Sequence, residues 1–323
     1  MMNVINIGDL INLKIHASQE TLMDISKRFV NTKKSNNYDF EIYYKNYVSV
    51  PEMSEGIKIY PFRNAMYIVN QVDDKIISYS PKQKYSCENI IIREKNKINI
   101  LCRDDNDSKI LIRLITELLI RKLLEKKFFP IHASCIMKND EAILFFGKKN
   151  SGKSTALFTS VFLDNAYPIS NDVTFVGKEN DKWYAFGLPY DITFEKDLFH
   201  QLKSEKINFE ISNNQSKYES DKIRFAVSEF VNLFETEWIW RAPISTVNFV
   251  NLSKENVFWE TLNISSEDIL FKLNMYGKDK NFSFGDYLTI NNLYPLFEYE
   301  TFSREVNANK LEGNILKYYL RRR

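Results

Sequence analysis

The residues best suited to chemistry in this 323-residue chain lie at 147–155, where the sequence reads Gly-Lys-Lys-Asn-Ser-Gly-Lys-Ser-Thr. The pattern G-x-x-x-x-G-K-[ST] is typical of a phosphate-binding loop. In such a loop, backbone N–H groups and a helix N-terminus point at one spot and attract phosphate. Lys153 is expected to reach the β- and γ-phosphates of a nucleoside triphosphate, and the Ser154 hydroxyl to bind Mg²⁺. The predicted nucleotide-binding residues are Gly147, Lys148, Lys149, Asn150, Ser151, Gly152, Lys153, Ser154 and Thr155.

Two elements must position this loop, and the sequence predicts both. Ala142–Phe146 is an apolar run of strand length that ends directly before the first loop glycine. Lys153–Leu163 contains neither glycine nor proline and is predicted to be a helix. A surface turn rich in glycine, serine and lysine can match the loop pattern by chance. The flanking strand and helix favour a nucleotide-binding loop instead.

Two side chains outside the loop are candidates for chemistry at the same place. His132 lies one short hairpin before the strand, so antiparallel pairing across residues 138–140 brings it to the sheet end that carries the loop. Asp172 follows the loop helix at a distance that lets its own strand, predicted over 169–176, run beside the strand before the loop. A carboxylate there can bind Mg²⁺ or accept a proton from an attacking hydroxyl. The alternatives are a buried structural histidine and a turn aspartate.

These features together resemble a known family. His132–Ser134 (His-Ala-Ser), the strand, the loop and Ser170–Asp172 (Ser-Asn-Asp) are similar to the catalytic core of HPr kinase/phosphorylase. They are more similar still to the HPr-kinase-like proteins encoded with peptide natural-product pathways. The resemblance covers 131–176 and extends thinly through 187–189 to Arg241–Pro243. It implies a mixed α/β (α+β) fold, with a P-loop catalytic domain of the HPr kinase and phosphoenolpyruvate carboxykinase type and a smaller, mostly β N-terminal domain.

The resemblance also implies roles for individual residues. ATP and Mg²⁺ are the expected cofactors, and several family members phosphorylate a serine hydroxyl on a peptide. His132 matches the family histidine beside the phosphates. Asp172 matches the second acid of an Asp-Asp pair, which orients or deprotonates the acceptor hydroxyl. Lys153, His132 and Asp172 are therefore the predicted catalytic residues, and Ser154 and Asp172 the predicted metal ligands.

Two positions depart from the family pattern. Asn171 stands where the family has its first acid, which removes one charge near the metal and weakens the case for phosphorylase chemistry. Asn150 replaces a central glycine, and asparagine tolerates a left-handed backbone better than most residues do. A basic residue on a later loop, either Arg224 or Arg241, is expected to help neutralise the phosphates.

The chain divides into two predicted domains. Residues 1–104 contain short strand-like segments separated by turn signals, and we interpret them as a mostly β accessory domain that selects the substrate. Residues 105–323 are predicted to form the catalytic domain, which opens with a helix at 108–127. A charged row on that helix is expected to be a solvated, salt-bridged face: Arg113, Glu117, Arg121 and Glu125. Further predictions are strands at 3–15, 183–186, 223–230, 246–252 and 297–302, helices at 18–29, 266–276 and 310–319, and a flexible loop at 204–221.

Composition limits the class of partner. The net charge of +2 gives no case for nucleic acid, and neither a signal peptide nor a membrane span is apparent. Cys87, Cys102 and Cys135 are scattered and odd in number, which suits a reducing cytoplasm. We expect a cytoplasmic homo-oligomer without nucleic-acid or membrane partners.

The leading hypothesis is a phosphotransferase with an alcohol group as acceptor. It would be an ATP- and Mg²⁺-dependent kinase that phosphorylates a Ser or Thr hydroxyl of a peptide or small protein in peptide natural-product maturation. A small-molecule acceptor such as free serine is the alternative within the enzyme class. The rival from another class is a nucleotide-binding module without transfer activity, in a regulatory or peptide-presenting role. Asn171 keeps this rival open, whereas Asp172 argues for transfer, since a pure binder needs no acid on the acceptor side.

Overall fold

The computed structural model describes residues 2–47, 57–62, 65–82, 87–103, 108–147, 150–196, 222–252 and 257–262. The described residues form two compact units, one built from 2–26 and 31–127 and the other from 27–30 and 128–262. The helices predicted at 266–276 and 310–319, the strand at 297–302 and the loop at 204–221 lie outside the described residues.

The first unit is built around a sheet of nine strands in the order β3-β1-β2-β4-β9-β8-β7-β6-β5. The many short strands of this unit agree with the strand-like segments that the sequence predicts here. The helix α1 begins in this unit and ends in the second. The elements are β1 Met2–Ile7, β2 Ile11–His16, α1 Gln19–Arg28, β3 Lys33–Lys34, β4 Phe40–Asn46, β5 Ile57–Phe62, β6 Ala65–Val72, β7 Lys75–Ser80, β8 Asn89–Glu94, β9 Lys97–Cys102 and α2 Lys109–Glu125.

The first 30 residues show how local sequence sets these elements. The single strand predicted at 3–15 is in fact a hairpin, because Gly8 and Asp9 adopt left-handed φ angles of 61° and 54° and reverse the chain. The Ser18 hydroxyl accepts a hydrogen bond from the Thr21 backbone N–H at 3.2 Å, which caps α1 as its sequence indicates.

Helix α2 differs from its prediction in one respect. Arg121 and Glu125 do form an exposed ion pair of 3.1 Å, but Glu117 is only 3% exposed and lies 3.4 Å from Arg113. The row is therefore not a solvated face at Glu117, because most residues of the helix are buried, Glu117 among them. Its residues group with the first unit, which ends at Lys127. The domain boundary expected after residue 104 stays a prediction.

The cysteines also differ from expectation. Cys87 and Cys102 form a disulfide, with Cα atoms 6.8 Å apart, because the β8–β9 pairing brings residues 89 and 102 opposite each other. Cys135 is free and buried in the second unit. The disulfide differs from the reduced cysteines that their scattered positions and odd number suggested.

The second unit holds the predicted loop. Its main sheet runs in the order β10-β14-β15-β18-β12-β11-β13, with β19 added beside β18, and β16 pairs with β17 as a separate two-stranded sheet, called the β16–β17 strand pair below. The elements are β10 Phe129–Ile131, β11 Ala133–Lys138, β12 Glu141–Phe146, α3 Lys153–Asp164, β13 Tyr167–Ser170, β14 Thr174–Glu179, β15 Lys182–Gly187, β16 Ile192–Glu195, β17 Lys222–Phe225, α4 Val227–Leu233, β18 Arg241–Leu252 and β19 Val257–Leu262.

The main sheet closes on itself at one residue. Its hydrogen-bonded path leaves β10 through β14, β15, β18 and β12 and returns to β11, and His132 alone separates β10 from β11. Small and apolar side chains from these strands share one core, which includes Ala133, Cys135, Ala142, Leu144, Phe146, Ile169, Val176, Ala185, Ala242 and Val247. His132 thus lies at a fixed corner of a packed sheet.

Two strand predictions in this unit need correction. The segment 169–176 is two strands with a bend at 171–172, and β13 pairs antiparallel with β11 instead of running beside β12. The place beside β12 is taken by β18, which runs parallel to it. The segment 223–230 is likewise split, because the Glu229 carboxylate accepts a 2.8 Å hydrogen bond from the Ala226 N–H and starts α4.

Candidate active site

The candidate loop lies between β12 and α3, so the predicted order of strand, loop and helix is confirmed. Gly147 follows β12 directly, and a Cβ added there would overlap the carbonyl oxygen of Val250 on the neighbouring strand. Only glycine allows the chain to leave the sheet at this point. Lys148 and Lys149 lie outside the described residues.

The end of the loop uses a left-handed backbone twice. Asn150 has φ 62° and Gly152 has φ 94°, so the expectation that asparagine would support such a backbone is confirmed. Gly152 is the N-cap of α3 and has no side chain with which to cap the helix. The first-turn N–H groups of α3 and the positive end of its dipole therefore favour an anion at this position.

Lys153 begins α3 and turns back over the loop. Its side chain is only 6% exposed, and its Nζ donates a hydrogen bond of 2.9 Å to the carbonyl oxygen of Gly147. This bond spans the loop from its last residues to its first and holds a positive charge at its centre. Ser154 and Thr155 occupy the same first turn of the helix and are partly exposed.

His132 and Asp172 meet at the same end of the sheet. Ala133 lies opposite Phe146 in the β11–β12 pairing, which places His132 beside the start of the loop, as its position in the sequence predicted. Asp172 occupies the bend between β13 and β14. The His132 Nε2 lies 2.9 Å from the Asp172 Oδ1, within hydrogen-bonding distance.

The electrostatics of Asp172 favour its ionised form. The hydrogen bond from His132 lowers the pKa of the Asp172 carboxyl most, burial works against this, and the positive charges of His132, Lys153 and Lys222 lower the pKa further. Asp172 therefore carries a negative charge at neutral pH and stands within electrostatic range of the loop lysine. The carboxylate remains accessible, because 63% of its side chain is exposed.

Hydroxyl groups fix the bend that carries Asp172. The Ser170 and Thr174 hydroxyls are hydrogen bonded to each other, and the Thr174 hydroxyl also donates to the Ala133 carbonyl oxygen at 2.8 Å. Both hydroxyl residues are fully buried. These bonds join the two ends of the bend to the residue after His132, so the His132–Asp172 pair is held from both sides.

Oxygen ligands suitable for Mg²⁺ are present beside the loop. Asn171 is 6% exposed, its Nδ2 donates to the Thr193 carbonyl oxygen at 3.5 Å, and its buried Oδ1 has no hydrogen-bond partner among the described residues. That oxygen, the Asp172 carboxylate and the Ser154 hydroxyl fit a hard cation, which prefers oxygen donors. The described residues contain no group of three His, Cys, Asp or Glu side chains able to hold a metal by themselves. Mg²⁺ usually binds through one or two side chains together with phosphate oxygens and water.

The two candidate arginines differ in position. Arg241 lies 2.5 Å from the Glu179 carboxylate and stacks over the Tyr184 ring at 4.1 Å, nine residues before Val250 on the same strand. The loop is therefore about 30 Å away along the strand, and Arg241 is engaged within the sheet. Arg224 lies on the β16–β17 strand pair, in which the Thr193 carbonyl oxygen accepts the hydrogen bond from Asn171.

The sequence interpretation missed Lys222. This residue begins β17 on the same exposed face as Arg224, and its charge acts on Asp172. Alternation in Lys222–Phe225 indicates a half-buried strand, but nothing in that pattern shows that the strand lies beside the loop.

Comparisons with known proteins give structural likeness but no match in sequence. No protein-family model and no curated protein sequence matches the chain. Among solved structures, the chain is similar to the HPr(Ser) kinase/phosphatase from Coxiella burnetii, with 12% sequence identity, 47% of this chain and 97% of that chain covered, and a TM-score of 0.24. This likeness does not establish a family, so function is inferred from the site itself. Within the described ranges, none of the helices is both long and apolar enough to cross a bilayer.

Proposed function

We propose that this protein is an ATP- and Mg²⁺-dependent kinase that transfers the γ-phosphoryl group to a Ser or Thr hydroxyl of a peptide or small protein. The observation that carries the proposal is the meeting of three groups at the end of β12. The Lys153 ammonium spans the loop at 2.9 Å from the Gly147 carbonyl, and beside it lie His132 and Asp172, whose Nε2 and Oδ1 atoms are 2.9 Å apart. A cationic phosphate site next to an ionised acid is what phosphoryl transfer to a hydroxyl requires.

The proposed reaction forms one bond and breaks one. The acceptor oxygen bonds to the γ-phosphorus, the bond from that phosphorus to the β,γ-bridging oxygen breaks, and its electron pair leaves with ADP. The hydroxyl proton passes to the Asp172 carboxylate and from there to solvent. Lys153 and the N–H groups at the start of α3 stabilise the phosphate charge. Mg²⁺, when bound by Ser154, Asp172 and the Asn171 Oδ1, supplies further neutralisation of that charge.

Asp172 serves more to orient the acceptor than to remove its proton early. A carboxylate whose pKa is lowered by its histidine partner is a weak base. Phosphoryl transfer passes through a loose transition state in which the acceptor loses its proton late, so a weak base is sufficient. His132 fixes the Asp172 carboxylate by its hydrogen bond and leaves the second oxygen for the acceptor hydroxyl.

The acceptor class follows from the resemblance noted in the sequence, which favours a peptide, with free serine or another small alcohol as the alternative. We propose that the first unit selects this acceptor, because its described residues hold none of the groups assigned to transfer. A role in peptide natural-product maturation belongs to the same proposal.

A nucleotide-binding module without transfer activity is the second candidate, and Asn171 is the observation that favours it. An amide in place of an acid supplies no charge to a metal. The two functions differ in Asp172, since only a transferase needs a carboxylate on the acceptor side.

The deciding experiment incubates the protein with Mg·ATP and candidate peptides, a peptide-containing cell extract and free serine in separate reactions. Mass spectrometry then detects one added phosphoryl group per acceptor. The Asp172→Asn and Lys153→Ala variants serve as controls. Phosphorylation that requires both residues supports the kinase, whereas retained ATP binding with no phosphorylated product from any acceptor would leave the binding module.

A further inference from the structure

The β16–β17 strand pair supplies a charged surface beside the candidate site. Its inward residues Ile192, Ile223 and Phe225 are at most 4% exposed, so the strand pair is firmly packed. Thr193 lies opposite Arg224 and Glu195 opposite Lys222. The Asn171 Nδ2 donates to the Thr193 carbonyl oxygen, and this hydrogen bond connects the strand pair to the residue next to Asp172.

The outward face of β17 carries two cations that differ in their partners. Arg224 lies 4.0 Å from Asp191, the residue that directly precedes β16, and that carboxylate also contacts Arg28 at 2.5 Å. Lys222 lies 3.4 Å from Glu195, and both side chains are about half exposed. Lys222 is also the cation of this strand pair whose charge acts on the Asp172 carboxylate, as the charge of Lys153 does.

The Lys222–Glu195 pair is easily exchanged. An exposed ion pair of this kind contributes little to stability, because water screens both charges and the long side chains lose entropy when they pair. The Lys222 side chain has a flexible stem, and its ammonium can move several ångströms without disturbing the packed strand pair. A triphosphate bound at Lys153 would present several negative charges to the same ammonium, and those charges compete with the single carboxylate of Glu195.

We propose that Lys222 is a second phosphate-binding cation of this site, released from Glu195 when the triphosphate binds and placed on the transferred phosphoryl group. The inference rests on the proposed kinase function and adds a residue to it. Lys222 forms no covalent bond. Its ammonium stabilises charge on the phosphoryl oxygens while the acceptor bond forms and the bond to ADP breaks. Glu195 holds the ammonium in the absence of nucleotide and competes with the phosphates for it.

A transition-state analogue tests this proposal without requiring knowledge of the acceptor. Binding of ADP alone and of Mg·ADP with aluminium fluoride, which imitates the phosphoryl group in flight, is measured by calorimetry for the parent and for Lys222→Ala. The substitution should weaken binding of the aluminium fluoride complex by about 10- to 100-fold and leave ADP affinity within about 3-fold, as expected for one charge-assisted contact. Lys222→Arg keeps the positive charge and should restore most of the analogue affinity. This recovery would show that Lys222→Ala weakens binding through the lost charge and not through misfolding.

Three matched variants make the result decisive. Arg224→Ala removes the other cation on the same face, Lys138→Ala removes an exposed lysine from the hairpin at the far end of β12, and Glu195→Gln releases Lys222. Lys138→Ala should bind the analogue like the parent, Arg224→Ala should lose less affinity than Lys222→Ala, and Glu195→Gln should bind the analogue equally or more tightly. Unchanged analogue binding by Lys222→Ala, or a larger loss in Arg224→Ala, overturns the assignment of Lys222 alone. A parent protein that binds neither ADP nor the analogue would overturn the proposed kinase as well.

Discussion

Replacement of Lys153 by alanine is the perturbation whose size the structure defines best. The Lys153 ammonium is almost fully buried and makes a 2.9 Å hydrogen bond to the Gly147 carbonyl oxygen. A hydrogen bond from a charged group contributes roughly 1.5–3 kcal/mol. Lys153 is expected to make such a bond to the β- and γ-phosphates. Its loss should therefore weaken ATP binding by about 10- to 150-fold. The alanine also leaves the Gly147 carbonyl without its donor, which should lower the free energy of unfolding by about 1 kcal/mol.

Calorimetric titration with Mg·ATP measures this loss directly, and a thermal melt of each variant shows that the fold persists. Lys138→Ala is the matched control. Lys138 is a partly exposed lysine, paired with Asp164 at 3.8 Å, on the hairpin at the other end of β12 from the loop. It should bind Mg·ATP like the parent. Equal ATP affinity in folded Lys153→Ala and in the parent would refute the assignment of 147–155 to phosphate binding.

Three further substitutions test separate parts of the structure. Asn171→Asp should tighten Mg²⁺ binding in the presence of ADP by about 3- to 10-fold, because a carboxylate replaces an amide oxygen, and a titration that shows no change would remove Asn171 from the metal site. Gly147→Ala should lower the free energy of unfolding by about 1–3 kcal/mol and abolish nucleotide binding, since its Cβ overlaps the Val250 carbonyl oxygen; a normal melting temperature would contradict that geometry. Burial raises the pKa of Glu117 to about 8 from an ordinary value of 4.5, with Arg113 opposing the shift. The folded protein then binds a proton that the unfolded chain releases, so this residue's contribution to stability is complete below pH 4.5 and is lost as the pH rises to about 8. Glu117→Gln should therefore flatten the decline in melting temperature across that range, and an unchanged slope would show that Glu117 is ionised in the folded protein.

The local part of the site could be predicted from the sequence. The strand, the loop and the helix around Gly147 and Lys153 each follow from residue types within a short window. The position of His132 beside the loop follows from a two-residue turn, Asn139-Asp140, because a hairpin fixes its own register. Asn150 was also interpretable, since few residues accept a left-handed backbone.

The parts that could not be predicted depend on contacts between distant segments. Asp172 was expected on a strand beside β12, but β18 takes that place, and no local pattern distinguishes these two partners. The nearness of Lys222 to Asp172 depends on the same long-range arrangement. Burial of Glu117 reverses the chemistry of a residue that has the spacing of a surface salt bridge, and burial is a property of the fold.

The measurement that most directly tests the proposed function separates binding from transfer at Asp172. A carboxylate that orients the acceptor hydroxyl acts mainly in the transition state. Asp172 is also a proposed Mg²⁺ ligand, so the comparison is made at saturating Mg²⁺, where Asp172→Asn should leave ATP affinity within about 3-fold of the parent. The single-turnover rate of phosphoryl transfer to a verified acceptor should fall by about 10²- to 10⁴-fold. Because asparagine keeps the size of the side chain and one hydrogen-bonding oxygen, the loss could not be ascribed to packing. Transfer by Asp172→Asn at the parental rate would contradict the proposed role of Asp172 in the kinase.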